Sequence, residues 1–282
     1  MVTARGTPGA RSGRAGGGAC GDCGRIEAVT NTQLPQTDYV PVAPGEVVLI
    51  GGGPGDPELL TIAAWRALQD ADVILYDRLA PVSVLSQVSA ELVEVGKIPR
   101  GEFTSQEVIN ATLIERAKDG QRVVRFKGGD SFVFGRGGEE CLALAEAGVP
   151  FRVIPGVTSS IAGPELAGIP VTHRGLSQGF TVVSAHIGAV DEQSTINWEA
   201  LAKSQTTLVL LMGVFHLDEV VETLLGHGLD SQTPAAIIER AASPDMRVIR
   251  ARLEDLAQAA EDAEIQPPAI TVIGDVAALE LR

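Results

Sequence analysis

From Glu46 onward the chain alternates short runs of β-branched and aliphatic residues with longer stretches whose apolar side chains recur every three or four positions. The first kind predicts strands over "EVVLI", "DVILY", "ELVEV", "RVVRF" and "FRVIP"; the second predicts helices over "PELLTIAAWRALQD", "SQEVINATLIERAKD" and "GEECLALAEAG". Uninterrupted apolar strands separated by helices imply a parallel sheet covered on both faces. After the glycine- and proline-rich "PGVTSSIAGPELAGIPVTHRG" a second set follows, with strands over "FTVVSA", "TTLVLLM", "AAIIE", "MRVIRA" and "AITVIG" and helices over "LDEVVETLLGHG" and "LEDLAQAAEDA". Its closer-set strands predict a mixed α/β arrangement. The fold class is therefore α/β, with one α/β domain over residues 45–168 and a second over 169–282. Ligands of open α/β sheets sit beyond the carboxyl ends of strands and between domains, so the active site is expected in the cleft between the two.

Residues 1–44 break this pattern. They combine glycine, arginine and proline with few large apolar side chains, a composition that predicts a disordered extension. The net charge of −14 argues against nonspecific binding to nucleic acid or to an anionic membrane, so a polyanionic substrate has to be met by local Arg and Lys. No apolar run approaches the roughly 18 residues of a membrane span, and the first residues lack the apolar core of a secretion signal. A cytoplasmic location is expected. Of the three cysteines, Cys20 and Cys23 form a lone C-x-x-C without further metal ligands at zinc-site spacing, so no metal is expected, and Cys141 is expected to pack inside a helix.

Four strand ends carry unusual residues. "VVLIGGGPGDPELLT" (Val47–Thr61) runs from a strand through a glycine turn to a helix start, but lacks both the last glycine of a dinucleotide fingerprint and the Gly-Lys-Ser/Thr of a phosphate loop. Asp56 is placed as an N-cap, with Pro57 and Glu58 behind it, so a phosphate would meet repulsion and a cationic ligand would not. A tight turn without a ligand remains the alternative. "LYDRLA" sets Asp77 and Arg78 after a strand, either as a turn ion pair or as a site. "RFKGGDSFVFGRGGEE" packs Lys127, Asp130 and Arg136 among five glycines, which lets backbone approach a ligand. "IPGVTSSIAG" brings hydroxyls to a helix start, where Thr158 is a candidate N-cap.

Taken in order, "GGGPGDPELLT", "ADVILYDRL", "VGKI", "VVRFKGGDSFVFGRGGEE", "PGVTS", "AGIPVTHRG", "LLMG" and "PAAIIERA" closely resemble the tetrapyrrole methylase family, from about Gly45 to the end of the chain. The "YDRL" and "FVFGRGGEE" segments look like its uroporphyrinogen-III C-methyltransferase branch. The resemblance implies S-adenosylmethionine-dependent C-methylation of uroporphyrinogen III at C2 and C7, giving precorrin-2 via precorrin-1 on the way to sirohaem or cobalamin. A later cobalamin precursor as substrate, a nucleotide-dependent oxidoreductase built on the first glycine loop, and a noncatalytic ligand-binding module are the alternatives.

By the family's pattern, Pro54, Gly128, Gly129, Asp130, Val133, Thr158, Ser159, Met212 and Ala241 would line the cofactor pocket. Asp77 would match the proposed proton acceptor and Lys97 the proposed donor. Arg78, Lys97, Arg100, Arg136 and Arg174 are candidates to meet the substrate carboxylates, each with a solvated surface charge as its alternative. The resemblance also suggests a homodimer. The pattern is broken by Ser131 in place of Pro, Glu102 near a common His, "VSAHIG" in place of a Thr-Gly-His run, and Ala241 in place of Gly. No dehydrogenase or chelatase segment is expected before the methylase part.

Overall fold

Each strand of the first half carries apolar side chains toward both of its faces, because alternate residues of a strand point to opposite sides. In the computed structural model, which describes residues 38–96 and 104–281, these strands are β1 (Val47–Gly51), β2 (Val73–Tyr76), β3 (Glu91–Glu94), β4 (Val123–Lys127) and β5 (Phe151–Ile154). They form one sheet in the order β3-β2-β4-β1-β5, and every pairing is parallel. Parallel neighbours need crossovers. These are supplied by α1 (Ile62–Asp70), α2 (Gln106–Lys118) and α3 (Gly137–Glu146), with a 3-10 segment over Val82–Gln87 between β2 and β3. Val48, Ile50, Ile74, Val124 and Phe126 face α1's Ala64, Ala67 and Leu68. The alternate residues Val47, Leu49, Val73, Leu75 and Val123 face α2's Ile109 and Leu113 and α3's Cys141 and Leu144. The sheet is thus covered on both faces, as the continuous apolar runs predicted.

The second half forms β6 (Phe180–Ser184), β7 (Thr207–Leu211), β8 (Pro234–Glu239), β9 (Arg247–Arg252) and β10 (Ala269–Ile273). Their order is β6-β7-β10-β8-β9, parallel between β6 and β7 and antiparallel elsewhere, which is the mixed sheet expected. One face packs on α5 (Trp198–Ala202), α6 (Leu217–Gly226) and α7 (Leu256–Asp262) through Trp198, Val220, Leu224 and Leu256. On the other face α4 (Ser159–Leu166) brings Gly163 against Ile270, and Val133 from the loop after β4 joins Val209, Leu211 and Ile270. Both sheets belong to the compact unit Asp38–Arg282.

Two boundaries and one short helix differ from expectation. The helix read over residues 57–70 is divided: Pro57–Leu59 is a 3-10 turn capped by Asp56, and α1 starts only at Ile62, behind its own N-cap Thr61. Leu60 and Thr61 are extended, and an interruption of that length carries no sequence signal beyond the threonine. The segment Asp38–Pro44, grouped with the extension by composition, packs on the domain. Val42 is 3 % exposed within the α1-side core, and Asp70 accepts from Tyr39 Oη (2.8 Å) and from Val42 N (3.2 Å). The helix start expected at Thr158 opens α4, whose extent its glycine and proline hide, and α5 is not expected because its brevity hides its periodicity. The remainder of the extension, with Cys20 and Cys23, lies outside the described residues.

Candidate active site

The loops after β1, β4 and β5 meet backbone to backbone at the carboxyl edge of the parallel sheet. Gly53 N donates to Gly129 O (3.1 Å) and Gly129 N donates to Gly53 O (2.7 Å). A Cβ on Gly51 would stand 2.6 Å from both Gly129 O and Gly156 Cα, so only glycine permits this approach. Asp130 fastens the same junction: Oδ2 accepts from Gly156 N (3.0 Å) and Oδ1 from Phe132 N (2.8 Å). On the far side Gly55 lies against the loop after β8, its Cβ direction ending 3.5 Å from Ala241 O.

This arrangement brings most of the cofactor candidates into one continuous patch. Pro54 stands between Gly53 and Gly55; Gly129 borders Ser159; Val133 and Ala241 pack on the same apolar cluster of the second sheet. Gly128 packs on the β2 loop, where a Cβ would meet Leu79 O at 2.7 Å. Thr158 is the N-cap of α4, its Oγ1 accepting from Ser160 N (3.4 Å), which is the plain role weighed for it. Met212 is separate. Half exposed, with φ 58°, it lines a cleft of about 870 Å³ together with Phe132, Phe134, Arg136, Ser184 and His186. Of the nominated residues that lie among the described ones, Met212 and Arg136 alone line that cleft. The departures behave differently: Ser184 Oγ and His186 Nδ1 are 2.8 Å apart in the cleft wall, whereas Ser131 is buried with its hydroxyl unpartnered, and nothing in the structure explains it.

Asp77 follows β2 at the same edge. Its partner is not Arg78, as the turn ion pair would have it, but Arg125 in the centre of β4, whose Nη2 donates to Asp77 Oδ1 at 2.7 Å. The side chain of Asp77 is 30 % exposed and that of Arg125 only 2 %. Arg125 Nε also donates to Glu140 Oε1 (2.9 Å), and Lys127 Nζ donates to the same oxygen (3.0 Å) while standing 3.8 Å from Asp77 Oδ2. Burial, then the neighbouring Arg125 charge, pulls the Lys127 ammonium below the ordinary lysine range, against the opposing pull of Glu140 and Asp77. Arg125 and Glu140 were missed. The available signal was "VVRFKGGD", where Arg and Lys two positions apart share one face of an otherwise apolar strand.

Among the described residues, the candidate substrate cations Arg78, Arg136 and Arg174 sit in three different loops. Arg78 is exposed beside Gly96, and Arg174 sits in the exposed turn closed by His173 and Ser177. Arg136 holds Glu139 in a two-pronged pair (2.9 and 2.6 Å) at the start of α3. Lys97 and Arg100, like Glu102, lie outside the described residues. Among the described residues no group of three His, Cys, Asp or Glu is placed to hold a metal ion, and no helix is long and apolar enough to cross a membrane.

The family described as Tetrapyrrole (Corrin/Porphyrin) Methylases matches residues 46–257. The chain belongs to the tetrapyrrole methylases. It is 47% identical over 234 residues to the S-adenosyl-L-methionine-dependent uroporphyrinogen III methyltransferase of Methanosarcina barkeri, covering 82% of this chain and 92% of that one. It is 41% identical over 267 residues to the siroheme synthase of Hahella chejuensis, covering 93% of this chain and 56% of that longer protein. Among solved structures, the uroporphyrin-III C-methyltransferase of Thermus thermophilus complexed with S-adenosylhomocysteine superposes with a TM-score of 0.70 at 42% identity, over 83% of this chain and 93% of that one. Membership in this family removes the oxidoreductase alternative. Asp56 caps the 3-10 turn Pro57–Leu59, with Glu58 in that turn, while the methylase's first α-helix starts at Ile62 behind Thr61 without acidic residues in its own first turn.

Proposed function

We propose that this methylase transfers methyl groups from S-adenosylmethionine to C2 and C7 of uroporphyrinogen III, forming precorrin-2 by way of precorrin-1. The observation that carries the chemistry is a partly exposed carboxylate, Asp77, held by the buried Arg125 at the edge where three glycine loops converge. The substrate rests on the likeness to the M. barkeri methyltransferase over 82% of this chain and 92% of that one.

The residues present fit a phosphate-free, adenosine-bearing sulfonium. The junction offers backbone and small or apolar side chains, the cleft beside it has the volume of a small-molecule site, and its walls include the half-exposed Phe132, Phe134 and Met212. Left-handed backbone occurs at Phe134 and Arg136 after β4, at Met212 after β7 and at Arg240 and Ala242 after β8. Pro54, Gly128, Gly129, Asp130, Val133, Thr158, Ser159, Met212 and Ala241 would hold the cofactor. When bound, S-adenosylmethionine supplies a methyl group already activated on its sulfonium.

The protein's part is mainly placement, since fixing two reactants in line removes much of the entropic barrier. Methylation leaves the pyrrole system positively charged. Asp77 stabilises that charge and takes up the proton that restores the ring's electron pair. Lys97 is the matching donor, and Arg78, Arg100, Arg136 and Arg174 meet substrate carboxylates, Arg136 after release from Glu139. A cytoplasmic homodimer feeding sirohaem or cobalamin synthesis completes the proposal.

Calorimetric titration of the purified protein with S-adenosylhomocysteine and, separately, with NAD tests the cofactor. Saturable binding of the first that persists in the presence of a chelator is expected. Binding of NAD alone, or of neither, would overturn the reading.

A further inference from the structure

Glu140, at the first turn of α3, is fully buried, and one of its two oxygens does all the work that the described residues show. Oε1 accepts from Arg125 Nε (2.9 Å), Lys127 Nζ (3.0 Å) and Gln106 Nε2 (3.3 Å). Oε2 is buried with no partner. A cluster kept only for stability would satisfy both oxygens, because an unpaired buried polar atom is costly. The arrangement reads instead as a charge balance: two buried cations, Arg125 and Lys127, are shared between one buried carboxylate and one carboxylate at the site. Without Glu140, both cations, at 2.7 and 3.8 Å, would bear on Asp77 alone. They would hold it as carboxylate and make it a poor acceptor for a proton.

We infer that Glu140 is a positioning residue that neutralises Arg125 and Lys127 and thereby leaves Asp77 basic enough to accept the proton released after methyl transfer. The inference rests on the proposed role of Asp77. In the step concerned a C–H bond of the methylated intermediate breaks, its electron pair returns to the pyrrole system, and the proton passes to Asp77. Glu140 touches neither substrate nor proton; it acts through the two cations. The charged and titratable groups facing the cluster are Asp77 from the β2 end, Arg125 and Lys127 from β4, and the mutually paired Arg136 and Glu139, with Cys141, from α3.

The test compares wild type, Glu140→Gln and Glu140→Gln/Lys127→Met, the double variant restoring charge neutrality in case the single variant folds poorly. Two quantities are read: the pH dependence of single-turnover methylation, and the titration of the Asp77 carboxyl carbon by NMR, assigned by difference from Asp77→Asn. Glu140→Gln should move the Asp77 titration to lower pH by about one pH unit and slow turnover roughly 10-fold or more. The double variant should bring the titration back and recover the rate to within a few-fold. An Asp77 titration unchanged in Glu140→Gln overturns the inference, as does an equal loss in both variants, which marks a packing role. Absence of turnover in the wild type would sink the proposed function instead, while the NMR titration would still decide the charge balance.

Discussion

Asp77 projects at the open edge of the sheet because the strand before it ends at Tyr76, and it holds one orientation because Arg125 reaches it from the neighbouring strand. Replacing it by Ala should slow single-turnover methylation by about 10²–10⁴-fold, the range for a positioned proton acceptor, while S-adenosylhomocysteine binds nearly as in the wild type. Near-normal turnover in that variant would leave placement alone to explain the rate. Gly156 offers a second test. Its missing Cβ lies in the path of Gly129 O and Gly51 Cα, so Gly156→Ala must push two loops apart. A lowered melting temperature together with weakened S-adenosylhomocysteine binding is expected; unaltered affinity would separate the junction from the cofactor site. The glycines were legible in the sequence as sites of close approach, and Asp77 as a strand-end carboxylate. Arg125 and Glu140 were not, because a charged residue becomes compatible with a buried strand only through a partner that folding supplies, here from a helix fifteen positions later.

At the scale of elements, the alternation of apolar runs with helical periods was enough to recover the parallel sheet, since strands buried on both faces leave an unbroken apolar signature. It failed where an element is short or interrupted. The division between the 3-10 turn and α1 depends on Thr61, whose Oγ1 accepts from Ala64 N at 3.1 Å, and one hydroxyl is a weak signal beside a run of apolar residues. Thr61→Ala should remove about 1 kcal/mol of stability, read as a shift of the urea midpoint with an unchanged slope. No shift would mean that tertiary packing alone fixes the start of α1. The junction of loops with the second sheet was legible only through family resemblance, because Gly55 meets Ala241, and Val133 meets Leu211, across long separations that no local pattern encodes.

At the scale of the whole molecule the folded unit begins before the family match, with Tyr39 and Val42 strapped to α1. Deletion of residues 1–37 should leave stability and turnover intact, whereas deletion through Pro44 should lower the melting temperature by exposing the core beneath Val42. Equal melting of the two truncated proteins would contradict this. The strap also carries a pH signature. Burial first, then donation to the Asp70 carboxylate, pushes the Tyr39 phenol up from 10.0 to about 12. A raised folded-state value means that the contribution is fully present below pH 10.0 and is lost as pH rises through about 12. Melting curves across that window should fall more steeply for the wild type than for Tyr39→Phe; parallel curves would show that Tyr39 adds nothing. The account stands most directly on one measurement: incubation of the protein with uroporphyrinogen III and S-adenosylmethionine labelled isotopically in its methyl group, followed by NMR of the tetrapyrrole. Two labelled methyl groups bonded to ring carbons, at C2 and C7, are predicted, and a tetrapyrrole recovered without carbon-bound label would contradict the account.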